Sequence, residues 1–323
     1  MALTLSCAFA TSSESHEHAR IAEQLGYTRA WFYDSPALYP DVWVQLCRAA
    51  ERTSRIGLGP GVLVPSLRHP MVNAAAIATL VSIAGESRVA IAIGSGFTGR
   101  LTMGQRPMKW SAVREYVKVL RALLNGEEVE WDGGMMRMMH PKGFGAPRPI
   151  KVPIIIGAAG PKGIAAAHEL ADGVFAAPNP VSGFKWSIAL TFGTVLRDGE
   201  DPNSTRVLDA AGHAAPVIFH FALENKRLDI IERGKEWAQA YESVPQRIRH
   251  LALHDQHLIA INERDRPFIT GEMLQKNGLA LSKSEWRERL AAVESMGATE
   301  IAYQPAGPDI PGELETFASA FRA

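Results

Sequence analysis

Val152-Pro153-Ile154-Ile155-Ile156-Gly157-Ala158-Ala159-Gly160-Pro161-Lys162-Gly163 is the stretch on which the fold turns. An apolar run of this length, closed by glycine, reads as a strand buried on both faces. The small residues that follow make a tight turn, and Pro161 suits the first position of a helix, which runs to Leu170. Asp172-Gly173-Val174-Phe175-Ala176 is then strand again. A strand, helix and strand in so few residues imply parallel pairing.

The same rhythm extends toward the N-terminus. Strands are expected at Leu3 to Phe9, Arg29 to Asp34, Ile56 to Val64 and Arg88 to Ile93. Helices are expected from Ser13 to Gly26, from Val42 to Ala50, from His69-Pro70 to near Gly85, and from Pro107 to Leu124. Glu127 to His140 breaks the pattern. Its Gly133-Gly134 pair sits between polar–apolar flanks and predicts a β-hairpin, rich in Met135, Met136, Met138 and Met139. From Ser182 to about Asn277 the pattern is mostly helical and irregular. A helix (Trp286 to Gly297), a strand (Glu300 to Gln304) and a helix (Pro311 to Phe321) end the chain. With a seventh strand placed in Val207 to Leu223, the count reaches eight. The expected fold is α/β: a single (β/α)8 TIM barrel spanning 1–323, with insertions at about 127–150 and 182–280.

Composition narrows the function classes. Apolar residues are 46% of the 323, and 34 Lys+Arg balance 34 Asp+Glu. A neutral, apolar chain is neither disordered nor a bulk binder of nucleic acid, and it has no polybasic membrane-surface segment. The apolar start reads as a first strand rather than a signal peptide, because the first arginine is Arg20. Cys7 and Cys47 make neither a disulfide framework nor a thiolate metal site; buried thiols in a reducing cytoplasm are expected.

In such a barrel, chemistry belongs at the C-terminal strand ends. Four segments qualify: Tyr33-Asp34-Ser35, Gly59-Pro60-Gly61-Val62, Gly94-Ser95-Gly96-Phe97, and Gly157 to Pro161. The last offers backbone N–H groups at a helix N-terminus, which suits a phosphate. Gly57, Gly59 and Gly61 in one strand imply a bulge or a close backbone approach. Asp34 ends a strand of bulky aromatics, where an ionisable group is a functional candidate; capping its own loop is the alternative. His250, His254 and His257, with Asp255 adjacent, share a helical face. That spacing is open to a metal, but a solvated face beside Arg247 and Arg249 is expected, with no metal site. No Ser/His/Asp elbow, P-loop or HExxH is present.

Taken together, the ordered motifs resemble the bacterial luciferase-like superfamily. The likeness rests on Thr53 to Val62 followed by Val64-Pro65-Ser66-Leu67-Arg68-His69-Pro70, on Val89 to Gly96, on Arg114-Glu115-Tyr116 through Glu127, and on Pro153 to Pro161 with Ala171-Asp172-Gly173-Val174. It covers roughly residues 1–180 and returns at Ser284–Phe317. The resemblance implies a barrel that binds reduced FMN or the deazaflavin coenzyme F-420. It also implies a non-prolyl cis peptide at Gly61-Val62 behind the coenzyme ring, with Asp34 nearby and the phosphate along Ser95-Gly96 and Ala158-Ala159-Gly160. Gly94 to Arg100, then Gly104, is closer to methylenetetrahydromethanopterin-reductase-like members than to luciferase itself. Relatives using deazaflavin often carry Asp-His after the second strand; here the pair is Asp34-Ser35, the expected catalytic positions. Phe97 stands where some dehydrogenases carry an acid. The expected function is hydride transfer to or from a small organic substrate, in a homodimer paired through the 42–53 and 69–84 helices. An FMN-dependent monooxygenase using oxygen and a non-catalytic flavin-binding barrel are the alternatives. A barrel acting on a phosphorylated metabolite through the same turn is a further rival.

Overall fold

The computed structural model describes residues 3–322. Its elements, in chain order, begin with β1 (Thr4–Phe9), α1 (Ser15–Gln24), β2 (Arg29–Phe32), α2 (Val42–Arg52), β3 (Gly57–Pro60), α3 (Pro70–Ala84), β4 (Ile91–Gly94), a short α4 (Phe97–Leu101) and α5 (Trp110–Asn125). The hairpin β5 (Val129–Trp131) and β6 (Gly134–Met136) follows, then β7 (Ile154–Gly157), α6 (Pro161–Leu170), β8 (Gly173–Ala176) and β9 (Ser187–Phe192). After β10 (Thr194–Val195) come α7 (Thr205–Ala211), α8 (Ala215–Glu224), α9 (Gly234–Gln239), α10 (Arg249–Leu253) and α11 (Gly271–Lys276). The chain ends with β11 (Ala280–Leu281), α12 (Lys283–Ser295), β12 (Glu300–Gln304) and α13 (Ile310–Arg322).

Eight parallel strands form one sheet in the order β3-β2-β1-β12-β9-β8-β7-β4. Two parallel bridges, Leu58 to Val89 and Leu63 to Ile93, join the outer strands and close the ring. The expected TIM barrel is present. Strand alternation sorts the core into two shells. Ile91, Ile93, Ile154, Ile156 and Ile301 face the helices. Ala8, Trp31, Ala92, Ile155, Phe175, Ile188 and Ala302 fill the interior. Alanines there leave room for the Trp31 and Phe175 rings, whose centroids lie 5.4 Å apart. Gly59 answers to a close approach: a Cβ there would fall 1.8 Å from the Ala90 carbonyl oxygen.

The N-terminal end of the barrel is sealed. Glu300, buried, accepts from Trp31 Nε1 at 2.9 Å and Trp186 Nε1 at 2.8 Å. The Arg29 guanidinium lies over both indoles. The opposite end carries the loops.

The seventh barrel strand is β9, not a segment of Val207 to Leu223, which is helical. Ser187-Ile188-Ala189-Leu190-Thr191-Phe192 alternates large apolar residues with small or polar ones, as a strand does, but lies inside the stretch expected to be an insertion. The Val207–Leu223 stretch is alanine-rich and better suited to helix. The helical insertion therefore begins only after β9. Its entry and exit meet where β10 pairs in parallel with β11. Its packing includes a stack of Phe219 on Trp237, with Trp237 Nε1 and Tyr241 OH both donating to Asp265 at 2.7 Å. The expected β5–β6 hairpin is present around Asp132-Gly133. Cys7 and Cys47 are free; Cys7 is buried but Cys47 only half-buried. Among the described residues no helix is long and apolar enough to cross a membrane.

Candidate active site

The glycines that end β4 and β7 are explained by one side chain. A Cβ on Gly94 would lie 2.7 Å from Val62 Cγ2, and one on Gly157 would lie 2.7 Å from Val62 Cγ1. Val62 therefore sits as an apolar wedge between two strand ends. The Gly61–Val62 peptide is cis, as the resemblance implies. A Cβ on Gly61 would meet Trp31 and Phe175 at 3.0 Å, so the bulge rests directly on the barrel filling. Gly96 adopts φ +81° as it opens α4, and Val64 crowds it. The Ser95 carbonyl accepts from Met108 N, which ties the loop before α5 to the end of β4.

The turn after β7 divides its amides. The Ala158 N–H donates to the Phe175 carbonyl at 3.0 Å and is committed to the sheet. Among the described residues no acceptor reaches the amides of Ala159 or Gly160, which are exposed at the N-terminus of α6. Of the three positions expected to cradle a phosphate by backbone N–H, two remain available. Beside them an open cleft of about 740 Å³ lies between the starts of α5 and α6, lined in part by Lys109, Trp110, Arg114 and Lys162. Arg114 is shared with Glu169; Lys109 and Lys162 add positive charge where the α6 dipole is already positive.

Asp34 is 4% exposed. Both of its carboxylate oxygens accept from Arg68 Nη1, at 2.8 and 2.7 Å, and Arg68 Nη2 reaches Asp41 at 2.8 Å. Burial pushes the Asp34 carboxyl above its ordinary range, and Arg68 holds that rise back. Burial also works against the charge on Arg68, but the two carboxylates outweigh it. Asp34 is thus paired with Arg68 rather than free in the pocket. Ser35 is also buried, and its Oγ lies 3.4 Å from where a Cβ on Gly99 would stand.

The insertion supplies the roof. Leu258 is packed with Trp31, Tyr33 and Tyr39 in the interior cluster. Gln304 Nε2 donates to the Leu258 carbonyl at 2.7 Å, and Tyr33 OH donates to Gln304 Oε1 at 2.7 Å. Tyr39 OH donates to the His257 carbonyl, and His257 Nε2 lies 3.4 Å from Thr98 Oγ1 at the start of α4. The segment around 254–258 therefore lies over the strand ends, and His254 and His257 are buried, not on a solvated helix face. The face breaks because α10 ends at Leu253. His250 stays outside this cluster, against Gly104. Arg68, Gln304 and His257 carried no signal of their own in sequence. Arg68 lay inside a motif without an assigned partner, and His257 sits far from the strands it covers.

The chain is a closed (β/α)8 barrel with an apolar wedge between glycine strand ends and free amides beside them, at the end where such barrels carry their ligand sites. The chain belongs to the luciferase-like monooxygenase family, whose family model matches residues 8–300. It is 27% identical over 317 residues to the 5,10-methylenetetrahydromethanopterin reductase of Archaeoglobus fulgidus, covering 92% of this chain and 91% of that protein. It is 32% identical over 174 residues to the F420-dependent glucose-6-phosphate dehydrogenase of Beutenbergia cavernae, covering 47% and 49%. In fold it is similar to the coenzyme F420-dependent tetrahydromethanopterin reductase from Methanopyrus kandleri, with a TM-score of 0.68, 20% identity, and 99% and 98% coverage.

Proposed function

We propose that this protein is an F420-dependent oxidoreductase that moves a hydride to or from a small organic substrate. The observation that carries the reading is Val62 seated between Gly94 and Gly157, one turn from the unsatisfied amides of Ala159 and Gly160. That arrangement fits a flat ring against an apolar wall with an anionic group beyond its edge. When bound, the deazaflavin supplies the hydride-accepting ring carbon; the protein supplies binding, orientation and electrostatics. Val62 backs the ring. Ala159 and Gly160 donate to phosphate, and Lys109 and Lys162 steer it. The Asp34–Arg68 pair fixes the loop after β2 beside Gly99. Likeness along nearly the whole chain to a reductase supports the same reading.

The alternative is reduced FMN with oxygen; the resemblance often implies His after Asp34, and this chain has Ser35 there. Titration of the purified protein with each coenzyme, followed by fluorescence, separates the two. The decisive variant is Gly160→Val. No protein atom lies within 4 Å of a Cβ at Gly160, and its φ is −94°. The fold therefore tolerates the side chain, and any loss of affinity reports the coenzyme. Blocking one charge-assisted bond should weaken F420 binding by about 2 kcal/mol, roughly 30-fold. Lys162→Ala should cost less. Unchanged F420 affinity in Gly160→Val, with a loss in Lys162→Ala, would mean that side chains and not backbone hold the anion.

The proposal includes a single barrel domain in a reducing cytoplasm, supported by two unpaired thiols. Its partner is a small molecule, with neither nucleic acid nor membrane; the even charge supports this. It also includes a homodimer through α2 and α3, which leave Val44, Val72 and Ile83 exposed.

A further inference from the structure

In the roof over the strand ends, α8 and the turn after α10 bring three histidines together. His220, His254 and His257 are 3%, 7% and 4% exposed, and each offers a ring nitrogen within 4.8 Å of the others'. Their ring centroids form a near-equilateral triangle of 4.9, 5.1 and 5.1 Å. Three imidazoles on one tetrahedral ion, with metal–nitrogen bonds of about 2.0–2.1 Å, place their centroids roughly 5 Å apart. Both ring nitrogens of His220 and the Nδ1 atoms of His254 and His257 are buried without a hydrogen-bond partner. Buried polar atoms left so are rare and costly, and three such histidines with ring nitrogens within 4.8 Å of one another ask for a common ligand.

We propose that His220, His254 and His257 form a binding site for a divalent transition metal of the zinc class, with water in the fourth position. Imidazole suits such ions, and three protein ligands with one open position is a known zinc geometry. Burial keeps the rings in the neutral, ligating form: His220 is lowered to about 3 and His254 to about 4, with His257 lowered as well. The ion would fasten α8 to the turn that carries Leu258 over the barrel mouth. The site is independent of the coenzyme reading. Sequence spacing groups His250 with His254 and His257 and leads to no expected metal site; helix α10 stops short, and His220, far away in sequence, lies with His254 and His257 instead.

The test uses the tag-free protein stripped with chelator and titrated with Zn2+ against a chromophoric competitor, then with Co2+ as a spectroscopic stand-in. One Zn2+ per chain is expected, with the visible bands of four-coordinate Co2+. His254→Ala and His257→Ala should each weaken binding by more than about 100-fold, since even outer partners of a metal ligand are worth about 10–100-fold. His250→Ala should bind as the parent does. Absence of saturable binding, a six-coordinate Co2+ spectrum, or equal affinity in the triad variants would overturn the site. Should a variant misfold by circular dichroism, the Co2+ spectrum of the parent protein decides.

Discussion

His213 is 1% exposed, and neither of its ring nitrogens meets a partner in hydrogen-bond geometry. Burial lowers its pKa to about 4, against about 6.5 in an unfolded chain. The unfolded state therefore binds a proton that the folded state refuses between those values. The contribution of the neutral ring is whole above pH 6.5 and is lost as the pH falls toward 4. The loss is about 2 kcal/mol at pH 5 and about 3 kcal/mol at pH 4. Urea melts of the parent and of His213→Leu at pH 7 and pH 5 check this: the variant should lose less stability on acidification, and equal losses would refute the assignment. At this scale the sequence is most legible where glycine marks a backbone demand, as at Gly59, Gly61 and Gly96. It is least legible where a role depends on a distant partner. Nothing local to Asp34 names Arg68, and nothing near His254 names His220.

Among the elements, β10 and α13 are joined to the insertion by a charge cluster around the buried Glu313. Arg206 of α7 donates to Glu313 at 2.7 Å, to Thr194 Oγ1 at 2.9 Å and to Glu200 at 2.6 Å. Glu313 is 7% exposed and also accepts from Thr194 and Tyr303. Burial raises its pKa, with Thr194 and Arg206 opposing. Removing Arg206 leaves that carboxylate without its counter-charge. Arg206→Ala should destabilise the protein by about 3 kcal/mol, and adding Glu313→Gln should return part of the loss. Chemical denaturation of the single and double variants measures the coupling; strict additivity would show that the two do not act together. Elements were readable where propensity and burial agree, as in the isoleucine run of β7. Strand β9 was misplaced because its neighbours lacked the helix–strand rhythm that frames the other strands.

The whole molecule presents a barrel whose one open end is roofed by a turn of its own insertion. Gln256 and Leu258 in that turn have φ of +60° and +61°. For side chains of this size each costs on the order of 1–2 kcal/mol, offset here by the packing of Leu258 and its bond from Gln304. The roof is therefore held by tertiary contacts more than by local preference. The topology was readable at this scale because four strand–helix pairs imply a parallel sheet; the roof was not, since its contacts span hundreds of residues. On the outer face, α2 exposes Val44 (56%) and the small-residue helix α3 exposes Val72 (53%). Light scattering at micromolar concentration should give twice the chain mass, and Val44→Glu with Val72→Glu should shift it toward the monomer. A monomeric mass for the parent would end the dimer assignment.

The parallel pair Thr194–Val195 with Ala280–Leu281 clasps the neck of the insertion. A segment whose ends are already side by side adds little closure entropy when it is lengthened, shortened or exchanged. The barrel can thus keep its strand-end rim constant while the clasped segment is traded as a cassette, and grafting at this neck is the natural route to the same barrel with a different ceiling.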